Sequence, residues 1–195
     1  MALADDAVLK VGIGHFYTAP VGTPRPTDLA NIGPEWEHMG HTSLEDILSS
    51  NVEGGERTQL GSLQRRALKT SVSGRTESFT INLLQFDTDS LQLALGSNAR
   101  INDDGDIEVP ETPVATERAW LFLFFDGETV GGIYASRASF IAAESISISD
   151  TESLTQLPLE VTPMSDGDST SPYRFIPPRV VEGIDDGSGE DGEGS

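Results

Sequence analysis

The sequence predicts a mainly β (α+β) protein: an antiparallel β-sandwich or barrel with one short α-helix packed on it. Three observations carry that reading. Short stretches of period-two alternation, separated by Gly, Pro, Asn and Asp, recur along the 195 residues. Only one stretch, residues 87–96, switches to helical spacing. The run AWLFLFF, residues 119–125, is apolar on both faces and leads into Asp126–Gly127, a strong hairpin signal.

The organising stretch is residues 77–99, ESFTINLLQFDTDSLQLALGSNA. Phe79, Ile81 and Leu83 alternate with Ser78, Thr80 and Asn82, so one face of a strand is apolar. Asp87, Thr88 and Asp89 then offer N-cap oxygens and negative charge to a helix start. Leu91, Ala94 and Leu95 share a helical face and are the expected packing residues, and Gly96 stands where a left-handed stop would fall. A helix this short does not stand alone in water and must lie on a sheet.

Around this unit the chain divides simply. Residues 8–19 read as a first strand, and Pro20, Gly22, Pro24 and Pro26 as an extended loop. A second segment runs from Trp36 to Ile47. Residues 48–62 lack apolar periodicity and read as a long exposed loop, before a strand at 67–73. Residues 102–106 (NDDGD) form a turn between two short strands rather than a calcium loop, because glycine and glutamate miss the EF-hand spacing. The 119–125 strand should be covered by the helix on one side and by a neighbouring subunit on the other. Thr129–Arg137 completes its hairpin. Phe140, Ala142, Ile146 and Ile148 share a face broken by Glu144, which reads as a bulge or strand end. Leu157, Leu159 and Val161 form a last inner strand, and residues 173–176 an edge. The expected division is a folded domain over 1–180 and a disordered tail over 181–195, which carries six acids and no base.

Composition excludes several chemistries. There is no cysteine, hence no disulfide, thiolate metal site or cysteine nucleophile. The start lacks a basic leader and no apolar run approaches membrane-spanning length, so a soluble protein made without export is expected. His38 and His41 form the only local histidine pair, His15 lies far off in sequence, and no metal or cofactor is expected. No nucleophile, phosphate-binding loop or selected carboxylate pair stands out, so no enzyme is expected. Net charge is −20, which repels nucleic acid. Against it, Arg57, Arg65, Arg66, Lys69 and Arg75 gather five of the twelve cations. They mark a contact with the acidic surface of another copy, a solvated face, or a nucleic-acid site, the first being preferred.

In order, the phrases GHFYTAPVGTPRP, EWEHMGHTSLEDILSS, LQRRALKTSVSGRTESFTINLLQFDTDSLQLALG and AWLFLFFDGETVGGIYASRASF resemble the major tail tube proteins of phages with long non-contractile tails, notably those of actinobacteria. The resemblance spans roughly residues 8–165. It implies hexameric rings stacked around a tape-measure protein into a virion tail tube, ended by tail terminator and tail tip proteins. Double-stranded DNA would pass through the lumen without specific binding, and no membrane is involved. The subunit would be made in the host cytoplasm. The loop over residues 49–63 would reach the neighbouring ring. Together with the cation cluster, this makes Glu53, Glu56, Arg57, Arg65, Arg66 and Lys69 the candidate contact residues between rings or subunits. An acidic lumen wall would offer DNA no phosphate partners and let it slide. The rival readings are a single-ring tail terminator or head–tail connector and a stand-alone β-sandwich ligand-binding module.

Overall fold

The computed structural model describes residues 10–44, 47–65, 69–144, 154–167 and 171–181. Twelve strands and one helix follow one another: β1 (Ile13–Ala19), β2 (Glu37–His38), β3 (Ser49–Gly54), β4 (Arg57–Leu60), β5 (Lys69–Val72), β6 (Arg75–Leu83), α1 (Thr88–Leu95), β7 (Arg100–Ile101), β8 (Ile107–Glu108), β9 (Thr116–Asp126), β10 (Thr129–Ala142), β11 (Leu157–Pro163) and β12 (Arg174–Val180). The strand at 157–163, the 126–129 hairpin and the 173–176 edge therefore lie where the sequence places them. Ile146, Ile148, Arg66 and the tail beyond Val181 lie outside the described residues.

Every strand pairing is antiparallel, in the order β2-β1-β9-β10-β11-β6-β3, with β12 on β10. The segment after β2 links the two sides of this sheet. Met39 N–H donates to Phe16 O on β1 at 2.9 Å, while Ser43 N–H donates to Asn82 O at 2.9 Å and Leu84 N–H to His41 O at 2.8 Å beside β6. Thr42 forms an isolated bridge to Leu83. The hydrogen-bonded path thus returns to its start, which makes the body barrel-like and leaves no free edge along the central strands.

Two bulges shape the wall. Between Ala135 and Ala138 strand β10 gains one residue over β9, so Ile133 and Ala135 before it, and Ala138 and Phe140 after it, all face one core. On β12, Gly132 pairs with Ile176 but Val130 with Arg179, leaving Pro177–Pro178 in a bulge where two missing N–H groups cost no ladder bond.

The core fills from both sides of β9. Trp120 and Phe122 point into a cluster with Phe16, Phe79, Leu83 and Phe140. Leu121, Leu123 and Phe125 enter a second cluster with Leu29, Trp36 and Ile176. The outer face of β9 is therefore covered by the chain's own 20–36 loop and by β12, not by a neighbouring subunit. The reason is local: the proline-rich loop folds back with Leu29 and Trp36 pointing inward, both at most 5% exposed.

Helix α1 closes one end. Asp87 caps it, accepting from Ser90 N–H at 2.8 Å, and this bond holds the Asp87 carboxyl below its ordinary pKa. Gly96 ends it with its N–H on Gln92 O at 3.1 Å, with φ 103 and ψ 157, a positive-φ stop outside the left-handed helical well. Of the expected packing residues, Ala94 is buried, Leu91 packs at the flank and Leu95 is only half-buried. Leu93 and Ser90 take the inner positions. Both tryptophans are buried, while Phe86 and Phe175 are the exposed phenylalanines among the described residues. Glu144 lies exposed just past the end of β10, the strand-end reading. Residues 102–106 form a solvated turn in which Asn102 Oδ1 accepts from Asp104 and Asp106 N–H.

Candidate assembly surface: a projecting β arm

Residues 48–62 are not a loop. β3 pairs with β6 and β4 with β5 in one continuous antiparallel register, from Ser49 opposite Thr80 to Leu60 opposite Lys69. Gly55 N–H to Gly74 O at 3.1 Å and Ser73 N–H to Glu56 O at 3.0 Å carry the ladder across the gap between the named strands. Gly54 and Gly55 adopt φ of 80° and 71° at this point, and a side chain on Gly54 would meet Gly74 O at 2.5 Å. Glycine is therefore required at this point of the ribbon.

The root of this arm is anchored. Phe79 is buried, Tyr173 sits edge-on to it with centroids 5.6 Å apart, and Tyr173 O–H donates to Glu77 Oε2 at 2.7 Å. Beyond that root the arm is wet on both faces: all of β3, β4 and β5 is exposed. From residue 54 to 60 it extends about 20 Å before its turn. A two-stranded ribbon alone is marginally stable in water, and its outer edges offer unpaired N–H and C=O groups. Such an element suits a partner surface better than it suits solvent.

The expected contact residues gather on this one element. Glu53 lies opposite Thr76, and Glu56 sits between β3 and β4 with its N–H on Ser73 Oγ at 2.9 Å. Arg57 faces out beside Val72, Lys69 beside Leu60, and Arg65 lies in the distal turn, where its N–H bonds Ser62 O at 3.1 Å. Arg66 lies outside the described residues. Among the described residues none of Arg57, Arg65 and Lys69 makes an ion pair. Cross-strand partners share a face, so each face of the distal ribbon carries a cation next to an aliphatic side chain. The aliphatic half was missed in the sequence: Val52, Leu60, Leu63 and Val72 are 48% to 102% exposed. Their signal was an alternation of β-branched and polar residues on two segments in mirror register, weak because neither face is buried.

Two other clusters deserve a physical account. His15, remote in sequence, meets His38 across the β1–β2 pair, Nδ1 to Nε2 at 3.0 Å. His38 Nδ1 accepts from Gly40 N–H at 2.9 Å, so the Nε2 of a neutral His38 carries the proton it donates to His15. Burial lowers both pKa values, and for His38 the charges of His15 and His41 lower it further. With folded values below the ordinary 6.5, the unfolded chain takes up protons first as pH falls. The contribution of this pair to stability is therefore complete above about pH 6.5 and is lost below it. We expect melting temperature to fall between pH 7 and pH 5, and the fall to shrink in a His38→Gln chain; equal slopes in thermal melts would contradict this. The described residues hold no group of three metal-ligating side chains. The second cluster is a cavity of about 370 Å³ beside the start of α1, lined by Glu37, Asp87, Asp89 and Arg118. Arg118 Nη2 pairs there with Glu37 at 2.5 Å, tying β9 to β2.

The body is a filled strand barrel from which one exposed strand pair projects. The chain belongs to the phage tail tube protein family, whose profile matches residues 1–183. It is 30% identical over 189 residues to the major tail protein Gp23 of Mycobacterium phage D29, covering 90% of this chain and 93% of that protein. The same protein of Mycobacterium phage L5 is 30% identical over 191 residues, with the same shares covered. A place in the multimeric tube of a phage tail follows from this membership.

Proposed function

We propose that the chain forms hexameric rings that stack into the tube of a phage tail, with the arm of each copy lying on the next copy. The observation that carries this reading is the arm itself. Over residues 49–80, five cations face three acids, on a chain whose total charge is −20. An arm of the opposite sign to the body is drawn to another copy rather than to its own solvent, and charge complementarity sets both rate and register of docking. The aliphatic side chains beside Arg57 and Lys69 supply the apolar area that charge alone does not. Around the lumen, the excess of carboxylates would keep DNA unbound on its way to the host, since there are few cations to release its counterions. Tape-measure, terminator and tip proteins would be the other partners.

Negative-stain electron microscopy of the concentrated protein over a range of salt tests this. Hollow tubes with a regular ring repeat, shortening as salt rises, are the expected result. Closed single rings would favour a terminator or connector, and monomers at every salt together with ligand-induced stabilisation would overturn the reading.

A further inference from the structure

A second group of cations lies away from the arm, on the opposite side of β10 from β9. Arg25, in the proline loop, and Arg174, at the start of β12, line one cavity of about 230 Å³ with Tyr134, Ser136 and Asp166. Tyr134 O–H donates to Thr23 O at 2.7 Å, and Ser136 O–H to Asp166 Oδ2 at 2.5 Å. Arg174 is the cross-strand partner of Tyr134, and Arg25 lies two residues beyond Thr23, whose carbonyl accepts from the phenol, so the two arginines flank Tyr134. Burial raises the Tyr134 pKa, the Asp166 charge raises it too, and the Arg174 charge and the Arg25 N–H and charge pull it down. Neither arginine makes an ion pair among the described residues. In a chain with 32 acids and 12 cations, two arginines lining one cavity without an ion pair among the described residues are conspicuous, because carboxylates are abundant.

Beyond Asp166, which lies in the cavity and accepts from Ser136, a run of carboxylates follows β12 in the sequence. Antiparallel pairing sets Arg174 against Tyr134 and Val180 against Thr129, and Val181 N–H is held by Glu128 O at 2.9 Å. The segment after residue 181 therefore starts at the far end of β12, about 20 Å from Arg174. Glu182, Asp185 and Asp186 come too early to span that distance. Glu190, Asp191 and Glu193 come nine to twelve residues after Val181. A glycine-rich coil of that length has a root-mean-square reach of about 15–20 Å, the match of span and linker at which effective concentration peaks, in the millimolar range. Arg179, on the same strand, lies along the way.

We infer that the cavity lined by Arg25 and Arg174 is a carboxylate-binding site for the acidic C-terminal segment of the same chain. A planar guanidinium fork donates two hydrogen bonds at a time to a carboxylate, and two such forks in one recess hold an acidic glycine-rich segment without requiring a fixed backbone. The segment would then lie folded back along β12 instead of extending from its end.

The absence of cysteine allows a direct test. Spin labels are placed on Thr27→Cys, exposed and two residues after Arg25, and on Ser195→Cys in the full chain, diluted into excess unlabelled protein. Pulsed dipolar spectroscopy is expected to give a short-distance peak that survives dilution. The peak should be lost in the Arg25→Ala/Arg174→Ala chain and in high salt, and partly restored by the double lysine chain. Circular dichroism verifies the fold of each, and electron microscopy reads tube formation separately. A broad, long distribution unaffected by the arginines would overturn the inference. A short distance that vanishes on dilution would overturn it too, assigning the site to a neighbour's tail.

Discussion

Replacing residues 56–73 by an Asn-Gly turn leaves a folded monomer that no longer assembles. The two halves of this result come from different parts of the structure. The fold survives because none of the described side chains in the excised segment is buried, and because the arm root at Phe79, Glu77 and Tyr173 is kept. Asn-Gly suits the tight hairpin that the continuous register demands at that point. Assembly fails because the deleted segment holds four of the five arm cations and Leu60, Leu63 and Val72. Charge reversal alone, Arg57→Glu with Arg65→Glu and Lys69→Glu, keeps the ribbon but sets like against like. Losing well-placed charge pairs costs about 2–5 kcal/mol at an interface, so the concentration needed for assembly should rise by about two orders of magnitude. Pelleting assays over protein concentration read that shift. Unchanged pelleting of the arm-deleted chain would remove the arm from the account.

Trp120→Ala is expected to be the most damaging single substitution in the body. The indole is 0% exposed, tilted against Phe79 at 5.2 Å, in the middle of the strand that both cores share. Truncating a buried aromatic ring costs about 3–5 kcal/mol, a large part of a typical 5–15 kcal/mol. Melting temperature should drop by about 10 °C or more. Trp120→Phe is expected to recover most of the loss. It keeps a ring against Phe79 and deletes the indole N–H, which is buried with no hydrogen-bond partner among the described residues. Thermal melts of the two chains separate loss of packing from loss of a donor; a mild alanine effect would contradict a barrel core centred on β9.

What could be read from the sequence, and what could not, follows the same physics. Phe79, Ile81 and Leu83 or Leu157, Leu159 and Val161 announce their strands because one side is dry and the other wet. Asp126–Gly127 announces its hairpin because the turn demands particular backbone angles, with Gly127 at φ 56. The arm escaped as a strand pair because both its faces are wet. Its composition nevertheless flagged it, since cations are rare elsewhere. The covering of β9 by Leu29 and Trp36 was hidden because a loop has no period, and only tertiary folding reveals which side chains turn inward. The meeting of His15 with His38 depended on the β1–β2 register, which no local spacing encodes. On helix α1 the face was read one residue away from its centre, with Leu95 in place of Leu93, because a helix of eight residues rotates its apolar stripe to suit the sheet beneath it.

The most direct measurement places a cysteine-linked photo-crosslinker on Leu63→Cys, at the fully exposed tip of the arm in a chain with no other cysteine. Irradiated assemblies should give covalently joined copies, with the crosslinked peptide mapping to the acidic body of a second chain and the yield falling as salt rises. Crosslinks confined to the arm's own chain, in particles that are nonetheless assembled, would contradict the docking of the arm on a neighbouring copy.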